Sequence, residues 1–482
     1  MIFQIAKRGS PVNSEEALAL SKDRYGPISL PTIVDIVTGW VKFVDEKGVS
    51  FSDCLLCKDD VSSAFSQFDI DPCSAHLLCM VLGTFLFVHI VGFFGWCGAP
   101  IVFAVFSRAL ARTLRSRFDL ESVEASIEVF VDDVFCLALA VDCGRAQSIV
   151  QTVGNDCFGP NAMEMTKSCT PSTQQDIIGW RVDLFKESIR PSDKGIRKLM
   201  FSFLSFDING SFPLVFFQVL ASLAQRYSLC LRGLRAFVQP LHSMCRGSNN
   251  LALKKASSAA RFSIEVWRAV SMMLYQDSNC LSVPLRSLVP SGVLCDFSMI
   301  SDTGPRGLGA AIFDSDGVLL IYTSFVLPFD AADPKFQNCR EYMGFLMCLV
   351  LLHQLRRPCR GAVLAWRTDN KAALSWVEDN MCRSDTTQVA LMAVTWMTIK
   401  SSLEVREVSH LPGVQMGIID DLSRQRAHSW PVDKSFDSRT NSAICQLYLA
   451  CDPTNYGGLS EPNHAVVFSR VVALVDVIVS HR

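Results

Sequence analysis

Phe130-Val131-Asp132-Asp133-Val134-Phe135 sets two adjacent carboxylates in an apolar, β-branched and aromatic run. Such a run reads as a buried hairpin strand, and burying two anions costs far more than the run returns unless a cation sits on them. Two readings fit the hexapeptide alone: a divalent-metal site, or a strand-end turn with solvated aspartates. Upstream, Leu55-Leu56-Cys57-Lys58-Asp59-Asp60 is an apolar strand delivering Asp60 ahead of the small-residue turn Val61-Ser62-Ser63-Ala64 and the aromatic Phe65. Aspartates on neighbouring strands suit two-metal phosphoryl transfer, in which ions about 4 Å apart touch both the attacking and the leaving oxygens. Between them, Gly95-Trp96-Cys97-Gly98-Ala99-Pro100 is a glycine-rich turn into a helix, open to close approach by a nucleotide or template backbone.

A second carboxylate set follows Pro290, where the pattern turns to strands. Asp296 lies in Val293-Leu294-Cys295-Asp296-Phe297-Ser298, ahead of the glycine-rich hairpin Gly304-Pro305-Arg306-Gly307-Leu308-Gly309. Arg340-Glu341 opens an apolar helix running through Leu352, and Trp366-Arg367-Thr368-Asp369-Asn370 ends a strand before a helix. The set closes with His410-Leu411-Pro412-Gly413 and Asp420-Asp421-Leu422-Ser423-Arg424. Carboxylates placed on a strand, a helix, a strand end and a late helix are what a second two-metal centre requires, one ion activating water and the other stabilising the leaving oxyanion. The alternative is an inert fold with satisfied surface carboxylates.

The elements that must hold these groups are spread over 482 residues, enough for two to four domains. A formal charge of −2 gives no global attraction for nucleic acid, so such a partner must be held by local basic patches and metal ions. The 19 cysteines are scattered and Met1 to Lys7 is too short for an apolar signal core, which implies reduced thiols in an intracellular protein, cytoplasmic or nuclear. Cys54, Cys57, Cys73, His76 and Cys79 imitate zinc spacing, but the residues between them read as a strand entering a helix, so buried thiols are expected. Leu77 to Phe106 is hydropathic enough for a membrane span, yet Gly83, Gly92, Gly95, Gly98 and Pro100 break it up. Two buried strands and a helix opening near Pro100 are expected there, with no membrane partner. Leu30 to Phe43 has helical spacing; Ser192 reads as a cap before Ile196 to Leu204, and Phe216 to Tyr227 continues helically. Arg226, Arg232, Arg235, Arg246, Lys254, Lys255 and Arg261 in that region could contact phosphates or form a solvated face. Ala427 to Arg482 carries no assignable chemistry.

Together these motifs resemble the reverse transcriptase and ribonuclease H of a retroelement polyprotein. Lys58-x-Asp60 with Phe65, the Gly95 to Phe103 turn, and Phe130-Val131-Asp132-Asp133 are similar to the first three polymerase motifs in order and spacing. Gly159 to Ser168, with Lys167, is similar to the next, and Asp176-Ile177-Ile178-Gly179-Trp180 to the short hairpin that grips the primer. The resemblance implies that Asp60 and Asp132 hold metals with Asp133 supporting them. It puts Phe65 at the position that excludes a ribose hydroxyl, Gly95 and Trp96 at the nucleotide, and Lys167 near the triphosphate. Leu294 to Arg424 resembles ribonuclease H, implying Asp296, Glu341, Asp369 and Asp420 as metal ligands and His410 as a mobile histidine. Asp420 is chosen over Asp421 because it fits the pattern Asp-x-Leu-Ser-Arg, familiar from long-terminal-repeat and tyrosine-recombinase retrotransposons.

The implied fold is a mixed α+β and α/β multidomain chain: residues 1–50 a remnant of the fingers, 51–190 palm, 191–290 helical thumb and connection, 291–426 ribonuclease H-like, and 427–482 a tail. The implied cofactor is Mg2+ or Mn2+, two ions per active site. Implied partners are an RNA template, a DNA primer, RNA·DNA hybrid, deoxynucleoside triphosphates and other parts of such a polyprotein. Three departures from the pattern are an incomplete fingers region, Phe94 in place of a frequent glutamine, and Met416 in place of a frequent asparagine, whose amide hydrogen bonds methionine cannot make. A catalytically impaired nucleic-acid-binding remnant is the competing expectation.

Overall fold

Thr32 starts the first helix, α1 (Ile33–Lys47), through a reciprocal cap in which its hydroxyl accepts from the Asp35 amide and the Asp35 carboxylate accepts from the Thr32 amide at 2.7 Å. Such a cap contributes about 1 kcal/mol. Gly48 ends the helix at φ +63°, and Ile36, Val37, Trp40 and Val44 form its buried stripe. The computed structural model describes residues 30–75, 78–82, 84–93, 98–207, 210–246, 253–289, 295–329, 333–355, 359–379, 387–426, 430–438, 441–453 and 464–480, besides residues 19 and 23. The chain divides into two units, Met1–Ile189 and Arg190–Arg482.

In the first unit, β1 (Cys54–Asp60) pairs antiparallel with β5 (Asp133–Leu139), which forms a hairpin with β4 (Ala125–Phe130); with β6 (Cys169–Ser172) they make a sheet in the order β4-β5-β1-β6. Strand alternation puts Cys57 and Asp59 on one face of β1 and Lys58 and Asp60 on the other. Helices α2 (Ala99–Glu121) and α3 (Cys143–Phe158) pack on the sheet, burying Leu114, Phe118, Ile127, Val134 and Val150 in one core. Pro100 stands in the first turn of α2, where its missing amide is not needed. A separate ribbon pairs β2 (Cys79–Leu82) with β3 (Phe85–Val88). The expectation of buried strands is corrected for β3: its four side chains are exposed, Phe85 to 69%, because the ribbon has only two strands and stands outside the main sheet. A tight hairpin joins β7 (Gln174–Ile177) to β8 (Trp180–Asp183) through Ile178 and Gly179, both at positive φ.

The second unit opens with helices α4 (Asp193–Leu204), capped by the Ser192 hydroxyl on the Gly195 amide at 3.1 Å, α5 (Leu214–Ser228) and α6 (Ser258–Gln276). Phe203 of α4 stacks on Trp267 of α6 at 5.9 Å. A five-stranded sheet follows, made of β9 (Phe297–Thr303), β10 (Gly307–Asp314), β11 (Leu319–Val326), β12 (Val363–Thr368) and β13 (Glu404–His410) in the order β11-β10-β9-β12-β13. β10 runs antiparallel to both β9 and β11, and β12 and β13 run parallel with β9. Helix α7 (Gln337–Gln354), buried from Cys339 to His353, lies against β9 and β10. Around it stand α8 (Lys371–Glu378), α9 (Gln388–Lys400), α10 (Gly417–Ser423), α11 (Ser442–Ala450) and α12 (His464–Ser480). The C-terminal segment is part of this packing: α12 covers α9 and α11, and the Tyr448 hydroxyl donates to the Met343 carbonyl at 2.8 Å. Among the described residues no helix is long and apolar enough to cross a membrane.

Candidate functional site

The first carboxylate group is built by strand pairing. Register sets Asp60 opposite Asp133 and Phe130 opposite Asp133, leaving Val131 and Asp132 as the two-residue turn between β4 and β5. Val131 holds φ +56°, a conformation that a β-branched residue adopts only under constraint. Two bonds supply the constraint. Buried Ser107 of α2 donates its hydroxyl to the Val131 carbonyl at 2.7 Å, and the Val61 amide donates to the Asp132 carbonyl at 2.9 Å. Asp132 is thereby held against the end of β1. Burial raises its carboxyl above the usual range, and the charges of Asp133 and Asp60 push it the same way.

Both neighbouring aspartates carry a lysine. Lys167 Nζ donates to the two Asp60 oxygens at 2.8 and 3.1 Å, and Lys58 Nζ lies 2.8 Å from Asp133 Oδ1. The bond to Asp60 raises the Lys167 ammonium above its ordinary value. Phe65 is 9% exposed and edge-on to Phe103 at 5.8 Å, so only a margin of its ring reaches the surface. Gly95 and Trp96 lie outside the described residues, as does His76 of the zinc-like spacing. Cys54 and Cys57 are buried free thiols.

The second group is tighter. Asp302 near the end of β9, Glu341 in α7 and Asp369 just past β12 each offer an oxygen within 4.8 Å of the others. Among the described residues no other trio of acidic, histidine or cysteine side chains is gathered this closely. Parallel pairing of β9 with β12 brings the first and third together at the C-terminal ends of two central strands. Close helix packing brings in the second: a Cβ on Gly344 would stand 2.8 Å from the Ser301 hydroxyl. Burial, followed by the charge of Asp302, pushes Glu341 up to about 8. Burial also raises Asp302, with Asp369 and Asp420 adding to it.

Asp296 is corrected. Its amide and Oδ2 bond the Val363 carbonyl and amide at 2.8 and 2.7 Å, closing the far end of the β9–β12 ladder. Six strand residues, about 20 Å, separate it from Asp302. Sequence reasoning missed Asp302, although a carboxylate directly before the glycine hairpin at Gly304 was a usable signal. Asp420, in α10, is close enough to raise Asp302 electrostatically but stands outside the trio, with Arg424 Nε donating to it at 2.7 Å. His410 Nε2 donates to the Asp369 carbonyl at 3.0 Å. Met416 is buried with Ile419, Leu422 and Trp430 beneath that helix.

The trio fits a divalent cation on its own chemistry. Glu341 Oε2 is buried without a hydrogen-bond partner, and three carboxylates face one another with the buried Arg340 guanidinium beside Glu341 offsetting only part of their charge. An unsatisfied buried carboxylate oxygen is costly unless something positive meets it. Of the basic residues expected at phosphates, Arg226, Arg235, Arg246 and Lys255 are exposed, whereas Arg232 bonds Glu404 and the Leu288 carbonyl and Arg261 bonds the Ala256 carbonyl.

No protein-family description and no curated protein matches the chain. Among solved structures it is similar to foamy viral protease-reverse transcriptase in three complexes. One is a "dRH" form with double-stranded DNA (12% identity, TM-score 0.35, 74% of this chain and 56% of that one). Another holds an RNA/DNA hybrid (14%, 0.34, 74% and 44%), and the third holds double-stranded DNA (13%, 0.35, 74% and 67%). The chain spans about half the length of the first two.

Proposed function

We propose that the chain is a retroelement RNA-directed DNA polymerase joined to a nuclease for RNA·DNA hybrids, both acting by two-metal phosphoryl transfer. The observation that carries the reading is the Asp302–Glu341–Asp369 trio, with its orphaned Glu341 oxygen, at the C-terminal ends of the parallel pair β9–β12 in a mixed sheet. In the nuclease, Asp302, Glu341 and Asp369 would hold Mg2+ or Mn2+, with Asp420 alongside. Bound ions would lower the pKa of a water and stabilise the leaving oxyanion. The chain's own groups do the rest. Arg424 orients Asp420, and His410 is tied to the Asp369 backbone, poised to exchange that bond for one to water or product.

In the polymerase, Asp60 and Asp132 would hold the ions. Asp133 is committed to Lys58, and Lys167 leaves Asp60 to meet the triphosphate of an incoming deoxynucleotide. The strained Val131 turn fixes Asp132 before any ligand arrives. Template, primer and hybrid would be held by the exposed basic residues of the helical segment. One observation favours a second reading, an impaired binding remnant: two lysines already neutralise two of the three polymerase carboxylates.

The test is extension of a primed RNA template and cleavage of an RNA·DNA hybrid by the purified chain in Mg2+ or Mn2+. Asp302→Asn is expected to reduce cleavage about a thousandfold, because an ion's share of transition-state stabilisation is several kcal/mol. Asp296→Asn is expected to leave it intact. Cleavage that survives Asp302→Asn refutes the assignment; hybrid binding without either activity supports the remnant.

A further inference from the structure

Asp59 stands beside Asp60 on β1 but on the opposite face, and it is 1% exposed. Among the described residues no cation lies within ion-pair reach of it. Its oxygens accept instead from neutral groups: Ser168 Oγ at 2.7 Å, Gln151 Nε2 at 3.0 Å and Gln147 Nε2 at 3.3 Å, the two glutamines lying one turn apart on α3. Gln147 Nε2 also donates to the Cys169 carbonyl at 2.9 Å. A carboxylate buried on neutral donors is costly where an apolar side chain would pack, as Cys57 does two residues earlier on the same face. What this anion grips is the segment bearing Lys167. That segment is docked on β1 and the turn after it by the Glu164 amide on the Asp60 carbonyl at 2.8 Å and the Ser62 amide on the Ala162 carbonyl at 2.7 Å. Two adjacent residues, Lys167 and Ser168, thus seize two adjacent residues, Asp60 and Asp59, from opposite faces of one strand.

We propose that Asp59 is a positioning residue: through Ser168 it sets the backbone from which Lys167 reaches Asp60, and so fixes where that ammonium stands in the polymerase site. Lys167 is long and 60% exposed, and its own ion pair is too weak to hold so mobile a side chain in one place. The buried bond behind it provides the fixed point. The catalytic consequence rests on the polymerase reading; the positioning itself does not.

The test is zero-length carbodiimide coupling of the full chain, read by mass spectrometry of cross-linked peptides. The wild type should yield both an Asp60–Lys167 and an Asp133–Lys58 amide, each pair being 2.8 Å apart, so the second serves as an internal standard. Asp59→Asn and Ser168→Ala should each lower the first relative to the second by about tenfold, the worth of one buried hydrogen bond. An unchanged ratio in a folded variant overturns the proposal. Ser168→Ala decides it if Asp59→Asn fails to melt cooperatively. In primer extension, Asp59→Asn should lower kcat/KM for the nucleotide about tenfold with Lys167 present and have no further effect on Lys167→Met, as a double-mutant cycle requires of coupled residues. An equal loss in both backgrounds marks a merely structural role and overturns it. Loss of the cross-link in the variants, with no extension by the wild type, refutes the polymerase reading alone.

Discussion

Glu341 is the side chain on which the second site turns. In the unfolded chain it ionises near the ordinary 4.5, whereas in the fold burial and Asp302 push it up to about 8. A carboxyl whose folded pKa is raised keeps its proton in the native state while the unfolded chain loses it, so stability is full below about 4.5 and is lost as pH rises to about 8. Without divalent ions, Glu341→Gln should therefore gain stability over the wild type as pH is raised from 5 to 8, measured by urea denaturation at each pH. Adding Mn2+ at pH 8 should reverse the order, because only the wild type then has the third carboxylate to offer. A flat difference across pH would show that Glu341 is not the group under strain. Glu341 and Asp369 were legible because an acid set in an apolar helix and one just past an apolar strand would each be costly to bury without a cation. Asp302 was not, because Asp296 lies in the more apolar stretch and alternation along a single strand does not say which end meets its neighbours.

At the scale of elements, the second site depends on backbones brought unusually close. A Cβ on Gly309 of β10 would stand 2.6 Å from Leu422 Cβ and 2.8 Å from the Ile419 carbonyl, so α10, which carries Asp420, lies directly on the strand. Gly309→Ala should cost about 3 kcal/mol, the upper range for overpacking a core, and should displace Asp420 enough to weaken Mn2+ binding, as calorimetry would show. A stability loss under 0.5 kcal/mol would mean that the helix can move aside. The Val131 turn makes the opposite prediction. Glycine relieves the positive φ, so Val131→Gly should stabilise the fold by about 1 kcal/mol while slowing primer extension, since the turn that aims Asp132 loses rigidity. The glycine pattern at Gly307 and Gly309 and the aspartate pair were readable in advance. The hydrogen bond from Ser107 was not, because it joins residues 24 apart that only the packing of α2 brings together. The bareness of β3 escaped for a related reason: Phe-Leu-Phe-Val looks the same whether or not another layer covers it.

For the whole molecule, the two carboxylate groups lie in different units with separate cores. Asp132→Asn should abolish primer extension and leave hybrid cleavage within about twofold, and Asp302→Asn should do the reverse, as expected of sites that share no partners. A joint loss in either variant would show that the two units are coupled. The C-terminal segment, silent in sequence because it carries no chemistry, contributes packing instead: Val471, Val475 and Ile478 are buried, and Lys400 pairs with Asp476 at 3.3 Å. That arrangement has a consequence during synthesis. Every strand of the second sheet leaves the ribosome before α12 does, and α9 waits roughly eighty residues, on the order of ten seconds at ordinary elongation rates, for the helix that covers it. Through that interval the face of α9 that α12 later covers is open to other nascent chains.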